Sequence, residues 1–125
     1  MAISVANEFK KAALDAGLAL LNSGQFRLLT ALDVELANLT FGATAFAGAS
    51  VASPSVAVSN AITADASVTA GTIAKFEFRT SGGATRISGS VGVGTGDLQI
   101  SDNVIPGSAT SVGCPGGITF SMQVA

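Results

Sequence analysis

Apolar residues near the start of the chain recur every three or four positions, so that Val5, Phe9, Ala12, Ala13, Ala16 and Leu20 fall on one stripe of a helix. Ser4 is placed to cap that helix, Glu8 lies near its positive end and within reach of Lys11, and Asn22-Ser23-Gly24 supplies a stop. Lys10, Lys11 and Asp15 are expected to keep part of the helix in water, while Gly17 and the alanines allow another backbone close. The stripe can serve as an interface to another chain or pack within the subunit, and Phe9 itself is expected to pack within.

From Gln25 onward the period shortens to two. Residues 25–32 and 35–41 read as strands, residues 56–58 as a weak extended piece after Pro54, and residues 61–70 as either a strand or a loop. Residues 73–79 give the clearest signal: Ala74, Phe76 and Phe78 alternate with Lys75, Glu77 and Arg79, as on a half-buried antiparallel strand. Ser81-Gly82-Gly83 then permits a tight turn into residues 85–91, where Ile87 and Val91 face in and Arg86, Ser88 and Ser90 face out. Leu98 and Ile100 mark a short strand, Ile105-Pro106-Gly107 a turn, and residues 109–112 another short strand. After the break at Cys114-Pro115-Gly116-Gly117, residues Ile118, Phe120, Met122 and Val124 alternate to Ala125, so the end of the chain is expected to join a sheet or an interface.

Short strands separated by Gly/Pro/Ser turns predict a mainly β fold, an antiparallel β-sandwich or partly closed barrel with an N-terminal α-helix. The 125 residues suit a single structural domain, with the helix in residues 1–24 and the β domain in residues 25–125.

Composition narrows the functions open to such a fold. Apolar residues make up 48% of the chain and charged ones only 11%, against roughly 25% in ordinary soluble domains. Serine, threonine, asparagine and glycine, or another subunit, must cover the surface. The net charge of -2 is scattered and the one basic pair is Lys10-Lys11, so no phosphate-binding patch, and hence no nucleic-acid partner, is expected. The charge-free stretch over residues 36–64 is broken by Gly42, Gly48, Pro54 and many Ser/Thr, which argues against a membrane span. Asp15 interrupts residues 12–21 and no A-x-A site follows, so a secretory leader is not expected.

Candidate chemistry is sparse. Zero histidines remove the commonest general base and metal ligand, and the single Cys114 supplies neither an intrachain disulfide nor a zinc set; a lone half-buried thiol is the main reading and an interchain disulfide in a symmetric oligomer the alternative. Asp33 with Glu35, or Asp97 with Asp102, could form a glycosidase carboxylate pair, but the chain has no Trp or Tyr to platform a sugar. Asp97, Asp102 and Asn103 are oxygen donors without EF-hand spacing, so a loop ion is the minor reading. Gly92-Val93-Gly94-Thr95-Gly96 runs into a strand rather than a helix, unlike a phosphate loop. The expectation is a protein with no enzymatic activity, cofactor or metal. Its candidate interface or packing residues are Val5, Phe9, Ala13, Ala16, Leu20, Phe120, Met122 and Val124.

A succession of short words adds a resemblance. LANLTFG from Leu36, AFAGA from Ala45, NAITAD from Asn60, FEFRTSGG from Phe76, GSVG from Gly89 and GDLQI from Gly96 follow in an order that resembles small virion structural proteins of tailed bacteriophages. The likeness spans residues 12–124, and this chain is short where such proteins carry a polar insertion, at residues 25–30. The resemblance implies a capsid decoration (cement) protein in the phage head, bound to the major capsid protein and to itself, with a trimer suiting local threefold axes. A tail, neck or fibre-base subunit and a host-surface binding module are the alternatives.

Overall fold

The structure, a computed structural model, describes residues 6–52, 55–107, 109, 111–114 and 117–122. Its organising element is β6 (Lys75–Arg79), which buries Phe76 and Phe78 and turns Lys75, Glu77 and Arg79 to the opposite face. β1 (Gln25–Leu29) pairs antiparallel along one side, setting Phe26 opposite Phe78 and Leu28 opposite Phe76. β7 (Thr85–Gly92) pairs antiparallel along the other, setting Ile87 opposite Phe78. Outside β1 lie β2 (Glu35–Phe41) and the short β4 (Ile62–Thr63), and outside β7 lies β8 (Leu98–Gln99). This six-stranded mixed sheet, ordered β4-β2-β1-β6-β7-β8, curls into a half-barrel. Two ribbons complete it: β3 (Ser55–Val58) with β10 (Thr119–Met122), and β5 (Gly71–Thr72) with β9 (Val104–Ile105).

The concave side is filled by phenylalanine. Phe78 meets Phe26 and Phe41 edge-on at 5.2 and 5.4 Å between ring centres, and Phe76 lies 4.9 Å away. Such contacts contribute roughly 0.5–1.5 kcal/mol each beyond the area they bury. The same core continues through Ala45, Phe46, Ala49 and Ala57 to Leu14, Leu18 and Leu21.

Those three leucines come from α1 (Asn7–Ala19) and the turn that follows it, and the structure corrects the predicted helix face. The buried stripe is Lys10, Leu14, Leu18 and Leu21; Phe9 is 67% exposed and Leu20 54%, so Phe9 does not pack within the subunit. Both stripes are apolar, but three leucines bury more area than three alanines, and burial scales with area. Lys10, expected in water, is 7% exposed because it shares the leucine stripe. Lys11 pairs with Asp15 at 2.6 Å rather than with Glu8. Ala6 occupies the N-cap position without a side-chain bond, and Ser4 and Val5 lie outside the described residues.

Several strand boundaries also move. Residues 30–34 form the turn between β1 and β2, so the first strand stops at Leu29. Leu98 starts a strand parallel to β7, not antiparallel, after Gly94 and Gly96 take positive φ. Residues 109–112 form no strand among the described residues; Val112 makes a lone bridge to Asp65. β10 pairs with β3 as an antiparallel strand, with Ile118 buried just before it and Phe120 half-buried, while Val124 lies outside the described residues. At Met122 the backbone pairs with Ser55.

Candidate functional site

α1 and the turn that follows it are fastened to residues 42–49 at three points. Asp15 Oδ1 accepts the Ala49 N–H at 2.7 Å, Asn22 Oδ1 accepts the Ala45 N–H at 2.9 Å, and the Ser23 N–H donates to the Gly42 carbonyl at 2.8 Å. Hydrogen bonds from the Lys11 ammonium and the Ala49 amide hold the Asp15 carboxyl below its ordinary value, against a smaller opposing effect of desolvation. These bonds fix the helix's rotation, with the leucines inward and Phe9, Ala12, Ala13, Ala16 and Leu20 in solvent. The sequence-predicted residues Phe9, Ala13, Ala16 and Leu20 therefore share one outward face, whereas Phe120 and Met122 lie on β10, outside it.

A second outward apolar feature, missed in the sequence, sits at the turn between β1 and β2. Leu32 is 86% exposed and Val34 54%. The turn is well tied: Thr30 N–H to Val34 O at 2.9 Å, Asp33 N–H to Thr30 O at 3.0 Å, and Thr30 Oγ1 accepting from Leu32 and Val34. Asp33 takes φ 65°, which a short polar side chain tolerates. The sole hint in the sequence was the leucine inside an otherwise turn-like TALDV. α1 leads through Gly24 into β1, so the Leu32 turn lies at the end of β1 away from that connection, roughly 16 Å along the strand for five residues.

The carboxylates considered for chemistry are each occupied. Asp33 pairs with Lys75 at 3.0 Å, and Glu35 with Arg27 at 2.6 Å. Arg27 also bonds Glu77, which Arg79 meets at 3.3 Å, giving a charged ladder across the convex face. Burial would lower the Arg27 pKa, but Glu35 and Glu77 outweigh it and raise it. Asp97 accepts from the Ser90 backbone and hydroxyl at 3.0 and 3.1 Å, which lowers its pKa, and Asp102 accepts the Val104 N–H at 3.0 Å. Among the described residues no group of three or more His, Cys, Asp or Glu could hold a metal ion. No helix among them is long and apolar enough to cross a membrane.

A cavity of ≈ 480 Å³ is lined by Phe26, Leu28 and Leu39 of the sheet together with Leu98, Ile100 and Cys114. Burial pushes the Cys114 thiol up, partly offset by its hydrogen bond to the Gly117 carbonyl, so it stays a neutral, weakly nucleophilic group. Nothing in this cavity sets a charged or reactive side chain against the apolar wall other than Asp97 and Asp102, both already bonded.

No family model, curated protein or solved structure matches the chain. Among the described residues the large apolar side chains left exposed are Phe9 on α1 and Leu20 just after it, Leu32 and Val34 at the β1–β2 turn, and Val51, Val58, Val93 and Val104 elsewhere.

Proposed function

We propose that this chain is a non-enzymatic virion structural subunit, a decoration (cement) protein that stabilises a phage head by binding adjacent subunits of the major capsid protein. The observation that carries the reading is the second apolar face of α1, turned outward with Phe9 at 67% exposure on a helix already locked to its own domain. A monomer gains nothing by exposing it; docking on a neighbour removes it from water, at about 1.5–3 kcal/mol per large side chain. Leu32, exposed at the β1–β2 turn, provides a second apolar contact. Binding only the assembled shell stabilises that state by mass action.

Undecorated shells supply the test. Wild-type protein should bind them and raise their resistance to heat and osmotic shock. Phe9→Asp, at a surface site that leaves the fold intact, should weaken binding by about a hundredfold or more, given the area lost and the charge introduced. Shells equally robust without the protein, or normal incorporation of Phe9→Asp together with Leu32→Asp, would overturn the proposal.

A further inference from the structure

The residues around the cavity grade from the core to the surface. Phe26, Leu28 and Leu39 are buried, Leu98 and Ile100 are half-buried, and Asp97 and Asp102 are exposed. Its volume of ≈ 480 Å³ falls within the roughly 300–1,000 Å³ of small-molecule pockets. The buried end presents phenyl and isobutyl groups, which give water no side-chain partner, so an apolar group that displaces water there gains affinity. No residue of α1 lines the cavity, so it stands apart from the helix face on which docking rests.

Charge defines the other half of the ligand. Asp97 and Asp102 are the only charged residues in the lining, which contains no Lys or Arg. Asp97 Oδ2 accepts from the Ser90 amide and hydroxyl, and Asp102 Oδ1 accepts from the Val104 amide. The second oxygen of each carboxylate accepts no hydrogen bond among the described residues, and neither acid has an ion-pair partner among them. The bonds from Ser90, backbone first, hold the Asp97 carboxyl below its ordinary value and keep it ionised. Two uncompensated negative charges beside an apolar wall attract cations and repel anions.

We propose that this cavity binds a small organic amine, with its hydrocarbon body against Phe26, Leu28 and Leu39 and its ammonium head at Asp97 and Asp102. An ammonium carries three N–H donors, enough for both free carboxylate oxygens. A fatty acid of the same length has the right body and the wrong charge. A metal ion or a polyamine has the charge without the body. Discrimination therefore comes from repulsion at the acids as well as from attraction.

Octylammonium is a suitable probe, and calorimetric titration of the full chain gives its affinity. A ligand of about nine heavy atoms in a half-open site should bind with Kd of about 0.1–1 mM. Cys114, the chain's sole thiol, lines the cavity and reports its occupancy. Saturating octylammonium should slow Cys114 labelling by a disulfide reagent roughly threefold or more, since labelling requires access to the thiolate. Octanoate should bind at least about fivefold more weakly, and raised salt should shrink that difference. Asp102→Asn should shrink it too, while Ile100→Trp, which fills the cavity, should abolish binding of both probes. Octylammonium that neither binds nor protects Cys114, or octanoate that binds as tightly, would overturn the proposal. So would Asp102→Asn with the preference intact; that variant changes one exposed side chain whose amide oxygen can still accept from Val104, so loss of folding does not confuse the result. None of these measurements uses a capsid shell, so the cavity stands or falls separately from docking.

Discussion

A carboxylate that accepts from both an ammonium and a backbone amide is better satisfied in the folded chain than in the unfolded one, and Asp15 is in that position. Its folded pKa lies below the ordinary 3.8, so its contribution is complete well above that value and disappears as pH falls through the folded pKa. Asp15→Asn keeps an acceptor for Ala49 but loses the charge. We expect it to cost about 0.5–1 kcal/mol near neutrality, a figure already reduced for the solvent around a partly exposed pair. The gap between variant and wild type should close as the pH drops below 4, as followed by urea denaturation at a series of pH values. The sequence offered Asp15 merely as a wetting residue, since its second partner, Ala49, lies far along the chain. Lys10 shows the same limit: adjacent lysines look alike in a sequence, and only the choice of helix face buries one of them.

At the scale of the element, strands were more legible than the helix. β6 followed from alternation because a strand has just two faces, and its buried phenylalanines name one of them. α1 carries two apolar stripes, Phe9-Ala13-Ala16 and Leu14-Leu18, so its period established a helix without saying which stripe the core would take. β8 was legible as a short strand at Leu98, but its parallel direction was not, because its partner, β7, is reached through Gly94 and Gly96 at positive φ, a path that alternation does not encode. Two glycines test the joint between helix and sheet. A Cβ at Gly24 would stand 2.1 Å from the Arg79 carbonyl oxygen and 2.7 Å from that of Leu21, both backbone atoms that cannot swing away. Gly24→Ala should therefore destabilise by about 2–3 kcal/mol or more. At Gly17, inside α1, the same Cβ meets nothing within 4 Å, and Gly17→Ala should stabilise by about 0.5–1 kcal/mol. Urea midpoints for the two variants should move in opposite directions; equal shifts would show that α1 and β1 are not joined as described.

Across the whole molecule, five of the seven phenylalanines form one buried cluster, Phe120 packs half-buried against it, and Phe9 alone is exposed. Phe26, Phe41, Phe46, Phe76 and Phe78 lie in the core, and Phe78 touches three of the others. Phe78→Ala removes the side chain on which both halves of the half-barrel converge, and should cost about 3–5 kcal/mol. Domains of this kind have about 5–15 kcal/mol in total, so that variant should unfold tens of degrees early or fail to fold at all. Phe9→Ala deletes the same atoms from a position 67% exposed and should lie within about 0.5 kcal/mol of wild type. Thermal melts of the pair measure how cleanly the chain separates residues that hold it together from residues turned toward others. Were Phe9→Ala to melt far below wild type, α1 would present its other face to the core, and the outward apolar surface on which docking depends would not exist.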